Sequence, residues 1–209
     1  MVPLSVCYNF NNFDSDSLKP DLRFSLLKRF GTEETMVKEC LKTYLDKYFA
    51  CYKNYRGTYP VVPYDEEEKS SLWYGEADEE DYIQWMYKEK DKQTDFSDLE
   101  RELELVLPDA AKEFYHSYYF LQLQGFYHGE SVNFDPISDC RDILRDLRAC
   151  IFETNGKKYL HMGIYSNRDL ALCMEVDTGA IVQTDYDSKT VEKLADSLEE
   201  FLDQMTPVR

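Results

Sequence analysis

The sequence predicts an α+β domain, with helices packed about one central, mostly antiparallel sheet. Three observations carry this expectation. Residues 159–207 read strand, turn, strand, turn, strand, helix, the helix marked by apolar residues at helical spacing. Nearer the N-terminus, Met36, Val37, Cys40, Leu41, Tyr44, Leu45, Tyr48 and Phe49 form one broad apolar stripe. Between these segments, short aromatic and apolar runs are separated by Gly, Pro and acidic stretches.

Residues 1–33 mix Asn, Asp, Ser and aromatics with weak periodicity. They are expected to be an N-terminal extension holding a short helix over 22–30 that Gly31 ends, with the domain itself over 34–209. Thr32 is placed to cap the first long helix, with Glu33 and Glu34 in its first turn. The apolar stripe carries that helix to about Lys53. Residues 55–63, punctuated by Gly57, Pro60 and Pro63, read as a loop. A charge run at 65–69 precedes Leu72-Trp73-Tyr74. A second acidic run, Glu76 to Asp81, leads into Tyr82-Ile83-Gln84-Trp85-Met86-Tyr87, whose alternation predicts a strand.

Ser97 with Glu100 has the spacing of a capping box and opens a helix through Leu99, Leu103, Val106 and Leu107. Pro108 restarts a helix with Ala111, Phe114, Tyr115 and Tyr118 on one face. Residues 119–123 and 131–134 read as two strands around Gly125 and Gly129. Ser138 is read as the cap of a helix carrying Ile143, Leu144, Leu147 and Ile151. Residues 159–165 and 170–176 are strands joined by the turn residues 166–169. Gly179 is free to take positive φ in the turn before a third strand at Ala180. Ser188 is expected to cap the last helix, which carries Val191, Leu194, Ala195, Leu198, Phe201, Leu202 and Met205.

A chain of 209 residues suffices for one core that buries roughly 70% of the unfolded surface. No apolar run reaches 18 residues and the first 13 residues lack a basic and apolar leader, so neither a transmembrane helix nor a signal peptide is expected. The six cysteines, Cys7, Cys40, Cys51, Cys140, Cys150 and Cys173, sit among apolar residues. They are expected to be buried free thiols of a reducing cytoplasm. Charge is the compositional anomaly: 41 acids against 24 bases give a net −17. Residues 65–104 hold 16 acids and 5 bases, a net of −11, which leaves −6 for the other 169 residues. Such a surface repels nucleic acid and anionic membranes, and it draws in a basic protein.

Little in the sequence points to catalysis or to a cofactor. A nucleophile needs a nearby base and an orienting third group, yet His116, His128 and His161 lie in separate elements. His128, in a predicted turn, and Cys173, in mid-strand, are the residues a Cys/His hydrolase would have to use. No CxxC or Cys/His spacing suits zinc, and 78–81 lack the spacing and glycine of a calcium loop, so no metal is expected. The acidic run at 65–68 reads as solvated surface or as a partner contact. The run Glu76, Asp78, Glu79, Glu80 and Asp81 is the stronger contact candidate because Trp73, Tyr74 and Trp85 lie beside it in sequence. Trp85, on an alternating strand, fits the core equally well. Tyr44, Tyr48, Tyr115 and Tyr118, four of the seventeen tyrosines, recur at helical spacing and fit a core boundary with wet hydroxyls.

Four collinear segments resemble one family: L-K-T-Y-L-D-K-Y at 41–48, D-Y-I-Q-W-M-Y at 81–87, L-E-R-E-L-E-L-V-L-P-D-A-A-K-E-F-Y-H-S-Y at 99–118, and V-D-T-G-A-I-V followed by L-A-D-S-L-E-E-F-L-D-Q-M-T-P at the C-terminal end. Together they resemble the Syd family, the SecY-interacting proteins of the SUKH superfamily, over about residues 35–209. The resemblance implies a single Syd/SUKH-like domain with no enzymatic activity and no cofactor, binding protein partners through an acidic concave face. Two roles follow from it. One is docking on the basic cytoplasmic loops of the SecY translocon, which would place the chain in the cytoplasm or at the inner face of the membrane. The other is immunity, the neutralisation of a polymorphic toxin, often a basic nuclease. The N-terminal extension and the enlarged acidic segment at 65–81 depart from the short Syd pattern.

Overall fold

Met36–Arg56 forms α1, a helix of six turns that buries Val37, Leu41, Tyr44, Leu45, Tyr48 and Phe49 along one side. The computed structural model describes residues 36–166 and 170–207. The expected extension, the Thr32 cap and the short helix at 22–30 lie outside the described residues. Next come β1 (Val61–Pro63), β2 (Trp73–Tyr74), β3 (Tyr82–Trp85) and β4 (Lys88–Glu89). Two helices follow, α2 (Ser97–Glu102) and α3 (Asp109–Ser117), then β5 (Tyr118–Tyr119), β6 (Leu123–Tyr127) and β7 (Glu130–Phe134). The rest of the chain is α4 (Ile143–Cys150), β8 (Ile151–Thr154), β9 (Lys157–Tyr165), β10 (Leu170–Glu175), β11 (Ile181–Thr184), β12 (Val191–Ala195), α5 (Leu198–Gln204) and β13 (Thr206–Pro207). The described residues thus carry the α+β layout that the sequence predicts.

An eight-stranded sheet, seven strands in the order β12-β11-β10-β9-β7-β6-β13 with β8 paired to β9 off that path, is antiparallel throughout. Its axis is β9. One edge of β9 pairs with β10, and the other is shared, β8 taking its first half and β7 its second. Gly163 sits where β9 passes to β7, at φ +154, and a Cβ there would meet the Asn133 carbonyl oxygen at 2.2 Å. Only glycine fits that approach. Register shifts between Leu172 and Cys173 and between Ile181 and Val182 bend the strands. The sheet curls far enough for Tyr127 Oη on β6 to donate to the Leu194 carbonyl on β12, near the opposite end of the strand order, at 2.8 Å.

One face of the curled sheet meets α1, α3 and α5 in a single apolar core. Phe201 of α5 stacks on Tyr127 with ring centroids 4.3 Å apart, and Phe114 of α3 lies 5.6 Å from Phe134. Tyr44 of α1 reaches across to donate to the Gln124 carbonyl at 2.8 Å. That contact explains Gly125, which the sequence suggests as a turn but which sits inside β6. A Cβ at Gly125 would lie 1.9 Å from the Tyr44 hydroxyl. The turn is made by His128 and Gly129 instead, both at positive φ.

The structure corrects several local expectations. The last helix does not start at Ser188. Asp185 accepts from the amides of Asp187 and Ser188, closing a turn, and residues 191–195 run as edge strand β12 against β11. The helix begins at Leu198, capped by Ser197 Oγ, which accepts from Glu200 N. The box at Ser97 does not form. Asp95 takes the amide and hydroxyl of Ser97, while Glu100 accepts from Leu107 N at 2.8 Å and pairs with Lys112. Asp142, rather than Ser138, caps α4 through Leu144 N and Arg145 N. Residues 61–63, read as loop, form β1, and residues 151–154 form β8.

Candidate functional site

The acidic segment is organised by a second, three-stranded sheet in the order β1-β3-β2. Its strands are short, two to four residues each. Val61 and Tyr74 flank Gln84, Pro63 lies opposite Tyr82, and Trp73 lies opposite Trp85. Side chains opposite one another share a face. The inner face therefore carries Val62, Ile83, Trp73 and Trp85, and the outer face carries Val61, Pro63, Tyr74, Tyr82 and Gln84.

Trp85 is at 0% exposure, with its ring 5.0 Å from Phe49 and 6.5 Å from Tyr48 of α1. Of the residues grouped as partner contacts on sequence grounds, it is the one that seats the sheet on the helix from beneath. Its indole N–H has no hydrogen-bond partner among the described residues. That cost, about 1–3 kcal/mol, is offset by the burial of the ring. Trp73 is half-buried and rests against Tyr64 at 5.0 Å. Tyr74 is 51% exposed and meets the Tyr59 ring edge-on at 5.1 Å.

The two acidic runs, separated in sequence, emerge at the same end of this sheet. The chain leaves β1 beside the start of β3, where Tyr64 N donates to the Asp81 carbonyl at 2.7 Å. Asp65, Glu66, Glu67 and Glu68 follow β1, and Glu76, Asp78, Glu79, Glu80 and Asp81 occupy the β2–β3 connection. All nine are exposed. Asp78 shapes its loop by accepting from Glu80 N and Tyr82 N, and Asp81 takes φ +58. Asp65 accepts from Glu67 N in a similar turn. No ion pair among the described residues engages Glu66, Glu68, Glu76, Glu79 or Glu80.

One polar clamp ties this region to the body of the domain. Asp139, in the segment before α4, accepts from Ser70 Oγ at 2.7 Å and from Ser71 N at 2.8 Å. Burial pushes the Asp139 carboxyl up, but the bonds from Ser71 and Ser70 outweigh it and hold the group below its ordinary range.

The residues named for a hydrolase are not brought together as a catalytic unit. His128 stands in the exposed β6–β7 turn and contacts Gln204. Cys173 is buried in β10, and burial pushes its thiol up to about 12, so it stays protonated at neutral pH. The histidine opposite Cys173 is His161, which is held by Tyr186 at 3.0 Å and Asp135 at 3.3 Å. Cys140 is exposed, contrary to the expectation of a buried thiol, because it lies in the turn before α4. Among the described residues no group of three or more His, Cys, Asp or Glu is placed to hold a metal ion. No described helix is long and apolar enough to cross a membrane.

The family model described as Syd protein (SUKH-2) matches residues 38–142, half of the chain, from the first turn of α1 to the cap of α4. The chain belongs to the Syd family. The matched range contains the helix at 41–48, the tryptophan strand at 81–87, the 99–118 segment and the whole acidic sheet. The C-terminal segment on which the sequence resemblance also draws falls beyond it. No curated protein matches the chain. Membership in the Syd family supports a protein-binding role.

No charge run or motif singles out the outer-face residues Val61, Pro63 and Tyr82. The alternation in Tyr82-Ile83-Gln84-Trp85 already separates Tyr82 from Trp85. Pro60 before the partner strand at 61–63 and Pro63 at its end make that segment read as a loop.

Proposed function

We propose that the chain is a protein-binding module that docks on basic cytoplasmic loops of the SecY translocon. Its contact surface comprises Tyr74, Glu76, Asp78, Glu79, Glu80 and Asp81, with Trp73 supporting it from the inner face. The observation that carries this reading is the gathering of nine exposed carboxylates at one end of the β1-β3-β2 sheet, beside exposed aromatic side chains. Charge of one sign next to aromatic surface favours fast, salt-sensitive association with a basic patch. In this reading the protein is cytoplasmic and reaches the membrane only through its partner.

The test is binding of the full chain to membrane vesicles that contain or lack the translocon, at low and physiological salt. Translocon-dependent binding that weakens with salt is expected. The fivefold variant with Glu76, Asp78, Glu79, Glu80 and Asp81 changed to Lys should associate about tenfold or more slowly, with a flattened salt dependence. Equal binding to both vesicle types removes the translocon as the partner. If a secreted toxin domain binds instead, with the same salt dependence, the surface serves immunity.

A further inference from the structure

Tyr74 and Tyr82 are exposed by 51% and 40%, and they lie on one face of the small sheet with Val61, exposed by 38%. This is an apolar, aromatic surface that no described element covers, bordered at one end by the nine carboxylates. We propose that the outer face of the β1-β3-β2 sheet is an arginine-selective docking surface. It seats a basic segment of a partner protein, with guanidinium groups lying over Tyr74 and Tyr82 and reaching the carboxylates of the 65–68 and 76–81 loops. The inference rests on the protein-binding reading above and names the chemistry of the partner.

Charge complementarity decides the occupant. Between residues 65 and 81 Lys69 is the single base against nine acids, so a second copy of this chain would bring like charge against like. A basic segment meets the opposite sign. Tyrosine rings in this region already hold cations: Lys53 Nζ stands 4.8 Å over the Tyr59 ring, and the Arg56 guanidinium 5.3 Å over Tyr52. Tyr59 in turn abuts Tyr74.

Arginine rather than lysine follows from the combination of ring and carboxylate. A guanidinium is planar and weakly hydrated, so it lies flat on a tyrosine while its edge forks to a carboxylate. An ammonium can stand over a ring, as Lys53 does over Tyr59, but it is a compact, strongly hydrated charge that cannot lie flat on the ring and fork to a carboxylate at once. A surface that recognised charge alone would not distinguish the two.

The experiment titrates the full chain with two synthetic twelve-residue peptides at physiological salt. They share length, apolar residues and net charge, one carrying four arginines and the other four lysines. The arginine peptide should bind about fivefold or more tightly. In the Tyr74→Leu/Tyr82→Leu variant, which keeps apolar area but removes the ring faces, that preference should disappear while salt-dependent binding of both peptides remains. Circular dichroism of the variant confirms the fold, since both side chains are exposed. Equal affinities in the wild type, a preference that survives in the variant, or no binding of either peptide each overturns the inference. Equal binding that is lost on charge reversal of 76–81 overturns arginine selectivity and leaves the protein-binding reading standing. An arginine preference without translocon-dependent binding leaves the arginine-selective surface standing and removes only the translocon as its partner.

Discussion

The two principal sheets of this domain solve different problems. The eight-stranded sheet pairs long strands, takes two bulges and a glycine crossing, and covers one face with three helices. The three-stranded sheet pairs two to four residues per strand, buries only its inner face, and leaves tyrosines and carboxylates in water. The first supplies most of the strand residues of the apolar core, and the second presents a surface. A sheet that small does not persist alone. It exists because Trp85, Ile83 and Leu72 are buried and because Asp139 ties Ser70 and Ser71 to the main body.

The sharpest way to break this division is from beneath the small sheet. Trp85→Ala should cost about 3–5 kcal/mol by urea unfolding, the loss expected for a large buried aromatic. Trp85→Phe should cost less, because it keeps an aromatic ring on Phe49 and removes an unpaired N–H. If the two variants unfold alike, the indole N–H has a partner that matters. A smaller loss is expected in the large sheet from Gly163→Ala. The φ of +154 and the approach of the Asn133 carbonyl should make it about 1–3 kcal/mol, since the β7–β9 rungs must part. An unchanged urea midpoint for that variant would mean that β7 shifts without cost.

The same division explains what the sequence revealed. Long apolar periodicities dictate burial whatever their surroundings, so α1, β9, β10 and the buried face of α5 were legible. Residues 191–195 read as helix because Val191, Leu194, Ala195 and Leu198 satisfy helical spacing by accident. The decision was made by pairing with β11, which no local pattern records. β8 does carry a local signal: Asn155-Gly156, both at positive φ, is the tight hairpin turn joining it to β9. Among site residues, the acids were plain as a run of charge. That two runs share one end of a sheet depends on β1 pairing with β3 across some twenty residues, a tertiary fact.

The finest test concerns the tie between the two regions. Asp139→Asn weakens the bonds to Ser70 and Ser71 and should cost roughly 1 kcal/mol at neutral pH. The loss should be local. Exchange of the Met86 amide, bonded to the Leu72 carbonyl, should quicken, while the Cys173 amide in β10 keeps its protection. The pH dependence has a fixed sign. The Asp139 carboxyl is held below its ordinary value in the folded state, so its contribution is fully present above the unfolded value of about 3.9 and is lost as pH falls through the folded value. Wild type and variant should therefore differ at pH 7 and 5 and converge as the pH is lowered below about 4. A difference that persists in acid would show that the asparagine disturbs packing rather than charge. Equal quickening of Met86 and Cys173 would show that the two sheets open as one unit, and the division between a stabilising and a presenting sheet would fall with it.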